Sequence, residues 1–478
     1  MATLSSVGIG SGLDASSIIS QLVALERRPI EQLKTEAGKI DARLSSFGRI
    51  QSSLDALRSA ARTLADSSTW RAASTTTSDA AAVTVSAASG STPGSYAVQV
   101  SALATAQMNA SPAVADARTP IGEGTLTIEA GSWADDLSSF TAKSGSSPIS
   151  IAIGPGEDTL EKIRDKINNT DGVPVRASIV NDASGARLVL QSRESGAASG
   201  FRVQVADTDG DDSDAGGLSR LAYDPPGGAA INARTQAARN ASATINGLAV
   251  ESATNVFTNV IDGVSLTLAK VTTGTVDITV ARDTASMRKS IDGFVSAYND
   301  LVKLVRDQTK YDATSKNAGT LQGDRTAIGL LSQLRSSLGE SSSASSVFKR
   351  LTDIGLSIQT DGTLKVSSTQ LDAGFTKLDE LQRFFGGDGE AAGSNGLATR
   401  LRKLADQILG DTGSMNSRQQ SLRELKTQNG KRQESLEDRV AMTEKRLRAQ
   451  YQALDASMAK LNNLSSYVSQ QITRWNKT

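Results

Sequence analysis

Residues 422–475 read LRELKTQNGKRQESLEDRVAMTEKRLRAQYQALDASMAKLNNLSSYVSQQITRW. Leu422, Leu425, Leu436, Val440, Leu447, Tyr451, Leu454, Met458, Leu461, Leu464, Val468, Ile472 and Trp475 recur at helical three–four spacing. The stripe lasts about eight heptads, with polar breaks at Asn429 and at Arg432-Gln433, and predicts a coiled-coil helix. Glu444 and Arg448 add a supporting charge pair one helical turn apart. A stripe this long needs a partner that removes it from water.

The opposite end of the chain supplies one. A Gly-rich leader ends at Asp14, a good helix N-cap. Beyond it, Leu22, Leu25, Leu33, Ala37, Ile40, Leu44, Phe47, Leu54, Leu57, Ala61 and Leu64 repeat at heptad-like steps. Pro29 lies inside this run, which predicts a break or kink: a short helix before it and a long one after. A straight helix from Ile30 to about Asp66 reaches roughly 55 Å, at about 1.5 Å per residue.

Between the ends the texture changes. Val83 and Val85 alternate, then Tyr96, Val98 and Val100 follow a Pro93-Gly94 turn. Leu126 and Ile128 mark one strand, and Ile149, Ile151 and Ile153 another. Asp158 is read as the cap of a short helix with Leu160, Ile163 and Ile167 on one face. Val173 to Ser192 reads as a hairpin turning at Ser184-Gly185, and Asn246-Gly247 is a strong two-residue hairpin signal. The helical period returns with Met287, Ile291, Phe294, Tyr298, Leu301 and Val305, then at about Arg325–Leu338 and at Leu397–Leu409. A small hairpin turned at Asp361-Gly362 lies between these last two helices. The reading is an α+β multidomain chain: the terminal helices pair as a coiled-coil stalk, and nested β-rich head domains are inserted between them.

Composition narrows the function. The chain has 478 residues, with 51 basic and 51 acidic side chains, a balance unlike that of a dedicated nucleic-acid binder. It has no His and no Cys, which removes Ser–His and Cys–His nucleophiles, disulfides and most zinc, haem and iron–sulfur chemistry. Aromatic residues make up only 4%, which suits thin, elongated domains better than thick cores. No apolar run is long enough for a membrane span, and residues 1–17 lack the pattern of a cleavable signal.

Several motifs weigh little against their plainer readings. Gly8-Ile9-Gly10-Ser11-Gly12 has no preceding strand and no following Gly-Lys-Ser/Thr, so it is a leader and not a phosphate loop. Ser457-Met458-Ala459-Lys460 matches S-x-x-K inside the heptads without its partner motifs. Asp207, Asp209 and Asp211 open like a calcium loop, but Asp212 stands at the glycine position and Leu218 at the glutamate position. Lys431-Arg432 and Lys445-Arg446 fit solvated coiled-coil flanks better than a membrane surface. The head carries many carboxylates but no spaced acid–base pair, so no cofactor, metal or catalytic residue is assigned.

The leader and first helix, GIGSGLDASSIISQLVALERRPIEQL, resemble the N-terminal region of the bacterial flagellar filament capping (hook-associated protein 2) family. That resemblance rests on Gly12-Leu13-Asp14, a short apolar helix and Pro29. At the other end, RLRAQYQALDASMAKLNNLSSYVSQQI resembles the family's C-terminal region through Leu454-Asp455, Met458, Leu461, Ser466-Tyr467 and Gln470-Gln471. IDGVSLTL, IDGFVSAYNDLV and IGLSIQTDGTLKV also resemble family segments, while about 110–239 is less distinctive.

The resemblance implies a homo-oligomeric ring, pentamer-like, at the distal filament tip, holding exported flagellin while it folds and inserts. It also implies passage through the flagellar type III apparatus with an export chaperone and no cleaved signal, beside the absence of a nucleic-acid partner and of a membrane span already expected from composition. Leu13, Asp14, Ile18, Leu22, Leu25, Leu461, Leu464, Tyr467, Val468, Gln471 and Ile472 are then the expected docking residues of the terminal legs. The expected stalk seam is Leu33, Ile40, Leu44, Phe47, Leu54 and Leu57 on one helix, with Leu436, Val440, Leu447, Tyr451 and Leu454 on the other. The expected division is 1–29 plus 442–478 (terminal helices), 30–69 plus 283–441 (leg), 70–118 plus 236–282 (first head domain) and 119–235 (second head domain). Competing readings are another secreted axial coiled-coil protein of hook–filament junction or needle-tip type, and a cap whose heads also act as a host-surface adhesin.

Overall fold

The computed structural model describes residues 14–312, 314, 317–389 and 393–475. It divides the chain into two compact units, one built from both ends (1–70 with 285–478) and one from the middle (71–284).

In the first unit the N-terminal helix, Ala15–Ala65, begins where Asp14 accepts a hydrogen bond from the Ser17 amide at 2.9 Å. It runs through Pro29 without ending, contrary to the expected break. Proline removes one N–H, and the carbonyl four residues earlier, on Leu25, loses its helical partner. Leu25 is exposed, so water can satisfy that carbonyl, while Ile19 and Val23 before the proline and Ile30 after it are all held against one neighbouring helix.

The C-terminal helix is Ser414–Trp475, 62 residues or about 93 Å at ~1.5 Å per residue. It lies antiparallel to the first. Gln419 Nε2 donates to Gln51 at 2.8 Å, Lys426 pairs with Asp41 at 2.6 Å, and Asn429 Nδ2 donates to the Leu33 carbonyl at 3.1 Å.

The inner ends of both helices join a bundle with helices Thr284–Thr309, Arg325–Gly339, Leu378–Gly386 and Leu397–Leu409. Its single core runs from Ile40, Phe47, Leu54 and Leu57 through Phe294, Tyr298, Phe384 and Leu401 to Leu422. Trp70 closes it, stacking on Phe385 at 5.3 Å and donating its indole N–H to the Leu64 carbonyl. The leg is therefore more than a two-helix stalk: its inner half is a globular helical domain.

The middle unit holds two apolar cores between antiparallel sheets. One sheet orders its strands Ala73–Thr77, Val276–Arg282, Gly94–Ala102, Ala241–Ile245 and Leu248–Ser252. It shares a core (Val98, Val100, Phe257, Leu266, Ile278) with the sheet of Val256–Ile261, Val264–Leu268 and Val83–Ala87. Asn246 and Gly247 both have positive φ, 50° and 82°, as the two-residue hairpin between the last two strands of the first sheet requires.

The second core (Leu126, Ile128, Ile163, Leu190, Phe201) lies among Gly124–Trp133, Gly200–Asp207, Gly185–Ser192 and Val175–Asp182 and the helix Leu160–Asn169. Thr159, not Asp158, caps that helix: its extended backbone lets its hydroxyl accept from the Lys162 amide. The hairpin before Gly185 turns on Ala183-Ser184, one residue earlier than expected, because Gly185 already pairs with Asp182.

Candidate functional site

The outer part of the helix pair carries a separate small cluster. Ile19, Val23 and Ile30 bury against Val440, with Leu436, Leu447 and Tyr451 packed around them. These positions fix the heptad phase of the N-terminal helix: 19, 23, 30, 33, 37, 40, 44 and 47 keep one four–three alternation. Leu22 and Leu25 fall off that phase and are exposed, and Ile18 is half-buried. Sequence reading followed the leucines and missed Ile19, Val23 and Ile30; the signal that separates them is continuity of phase across Pro29. Leu33 and Leu44 are half-buried, while Ile40, Phe47, Leu54 and Leu57 are buried in the bundle core. Leu13 lies outside the described residues.

The two helices do not end together. The first begins at Ala15, one turn before Ile19, whose cluster includes Tyr451, and the second continues from Tyr451 to Trp475, roughly 36 Å further at ~1.5 Å per residue. Leu454, placed on the seam by its spacing, is 45% exposed because the facing helix has reached its start. Leu461, Leu464, Tyr467, Val468 and Ile472 are likewise exposed, at 58% for Leu461, as is Gln471. Among the described residues nothing covers this row, and its apolar area is what a second polypeptide would bury on docking.

The seam has an internal gap. Its heptad position between Leu422 and Leu436 is Asn429, 5% exposed, which accepts from Gln433 and donates to the Leu33 carbonyl. Leu425 is off the seam and exposed. The outer cluster and the inner core are therefore two apolar patches separated by a polar layer. A buried polar seam residue fixes register at a cost in stability.

Chemistry elsewhere is spent on structure. In the middle unit Glu129 pairs with Arg202 at 2.7 Å, and Asp224 accepts from Gln204 at 2.8 Å while Arg202 lies over Phe140. Asp207, in the acidic loop, accepts from the Ser219 amide and hydroxyl, each at 2.8 Å. Burial pushes its pKa up, but the Ser219 bonds outweigh that and leave it lowered. Among the described residues no group of three or more His, Cys, Asp or Glu is placed to hold a metal, and no helix is long and apolar enough to cross a membrane.

Comparison with known proteins agrees with this geometry. The crystal structure of the flagellar cap protein FliD D1-D2-D3 domains from Escherichia coli superposes with a TM-score of 0.63 at 28% identity, covering 79% of this chain and 99% of that one. Residues 11–107 match the profile of the flagellar hook-associated protein 2 N-terminus, and 238–463 that of its C-terminus. Residues 139–194 match a flagellin hook IN motif, inside the stretch of about 110–239 whose resemblance to the family is less distinctive. Flagellar hook-associated protein 2 of Xenorhabdus nematophila is 30% identical over 98% of this chain and 99% of its own length. The B-type protein of Pseudomonas aeruginosa is 30% identical over 94% of both.

The class so defined is a structural cap of the bacterial flagellar filament. The chain belongs to the flagellar hook-associated protein 2 family. These matches favour neither a hook–filament junction protein nor a needle-tip protein.

Proposed function

We propose that the chain forms a homo-oligomeric ring, pentamer-like on the filament, that holds exported flagellin at the growing tip. There it promotes folding and insertion of each subunit, without catalysis. In this reading the terminal helices are the legs. Asp14, Ile18, Leu22 and Leu25 on one helix, and Leu461, Leu464, Tyr467, Val468, Gln471 and Ile472 on the other, form their docking surface. The observation that carries the reading is the uncovered apolar row beyond Tyr451. A single narrow row buries little area per contact, which favours repeated release over permanent attachment.

Division of the chain near Pro29 and Met442, with two nested head domains, belongs to the same proposal. So does passage through the flagellar export apparatus with an export chaperone and without cleavage of a leader. A strain lacking the gene tests the function. It is expected to lose motility and release unpolymerised flagellin, and normal filaments in that strain contradict the proposal.

A further inference from the structure

The gap in the seam forms a groove of about 530 Å³ between the N- and C-terminal helices. Ile40 and the exposed Leu425 give it an apolar floor, and Asn429 closes one side by holding the Leu33 carbonyl. Lys39, Arg43 and Arg432 ring it, with Glu36 as the one carboxylate in its lining. None of these three cations forms an ion pair among the described residues, although neighbouring Lys426 and Lys34 do.

The surrounding charge points the same way. The chain is neutral overall, yet the unit built from its ends carries 36 Lys and Arg against 28 Asp and Glu, and the middle unit 15 against 23. An excess of one sign on one unit selects partners of the other sign and steers their approach.

We infer that this groove receives an acidic amphipathic helix presented by a filament subunit, one bulky apolar side chain seating on Leu425 and carboxylates meeting Lys39, Arg43 and Arg432. The mode is helix-in-groove recognition, and the inference rests on the capping role proposed above. Residues 1–13 do not complement the groove, because they contain no Asp or Glu. Two copies meeting groove to groove bring like charges together, which is unfavourable. The polar layer at Asn429 explains why the groove exists: it sets the helices in register without an apolar side chain that fills the space beside Leu425.

The chain has no cysteine, so Leu425→Cys places a unique thiol in the groove of the full-length protein. Carrying a photoactivatable crosslinker and added to a deletion strain, this variant is expected to crosslink to flagellin, with a yield that falls as salt rises. Crosslinking to another copy of this chain, or to nothing, overturns the inference. In parallel, the triple variant Lys39→Glu, Arg43→Glu, Arg432→Glu is expected to keep the parental melting curve and oligomeric state. It should raise unpolymerised flagellin in the medium by about tenfold or more, the scale of losing buried charge contacts. Parental filament length with this triple variant also overturns it. If the charge reversals unfold the protein, the crosslink alone decides. Failure of the capping role itself is separate: it shows as normal filaments in the deletion strain with no protein added.

Discussion

Leu54 and Leu461 are the same residue at the same kind of heptad position on two long helices that belong to one unit. Leu54 is fully buried in a core fed by several helices, and Leu461 is more than half exposed on a helix whose partner has ended. Periodicity tells that a helix has an apolar face, whereas topology decides whether the chain itself covers that face. In this molecule the inner half of the helix pair is a domain core, the outer half is a thin zipper, and the described residues leave the C-terminal segment uncovered. Such grading fits the proposed role, in which the leg stays folded while its tip engages and releases.

The contrast is sharpened first by truncating the two sides of the grade. Phe294→Ala in the bundle core is expected to cost about 3–5 kcal/mol and lower the denaturant midpoint of the whole unit. Ile30→Ala in the outer cluster is expected to act locally, because only Ile19, Val23 and Val440 share full burial with it. Hydrogen exchange should quicken over 15–30 and 436–451 while the main transition moves little. A global loss as large as that of Phe294→Ala breaks the distinction between core and zipper.

Acid provides a third probe. Glu380 accepts from the Ser345 hydroxyl at 2.7 Å and the Ser346 amide at 2.8 Å, and pairs with Arg383. The Ser345 bond is the largest cause of a pKa held at about 2 against 4.5 for the free side chain. A carboxylate lowered in the folded state stabilises the fold above pH 4.5, and that contribution is lost as pH falls towards 2. Thermal melts from pH 6 to pH 2 should therefore drop more steeply for the parent than for Glu380→Gln. Equal slopes contradict this role. The smallest effect on folding is expected for Leu461→Ser, which should change stability by no more than ~0.5 kcal/mol in a denaturant titration.

Much of this architecture was legible from residue patterns. The Asp14 cap, the C-terminal helix, the Asn246-Gly247 turn and the helix Leu397–Leu409 each follow from local chemistry, and the structure has them where the residues put them. What escaped was set by tertiary contact. Pro29 reads as a breaker, yet neighbours on both sides of it hold the helix through. Ile19, Val23 and Ile30 escaped because the leucines Leu22 and Leu25 dominate the apolar stripe before Pro29, whereas phase set by the far helix selects those three for burial and leaves Leu22 and Leu25 exposed. Asn429 read as an interruption and proved to be a buried seam position that binds the Leu33 carbonyl. The sequence pattern gave no sign that the helix pair ends unevenly, because helix length is read from each strand of the pair alone.

Uncovered residues beyond Tyr451 carry the account, and shortening the chain at residue 453 tests them most directly. Purified and melted, the shortened protein should match the parent in unfolding temperature, since none of the described residues removed belongs to either apolar cluster of this unit. Returned to a deletion strain, it should leave cells without filaments and flagellin free in the medium. Filaments of parental length from that same folded, shortened protein contradict the claim that the exposed row is the docking surface.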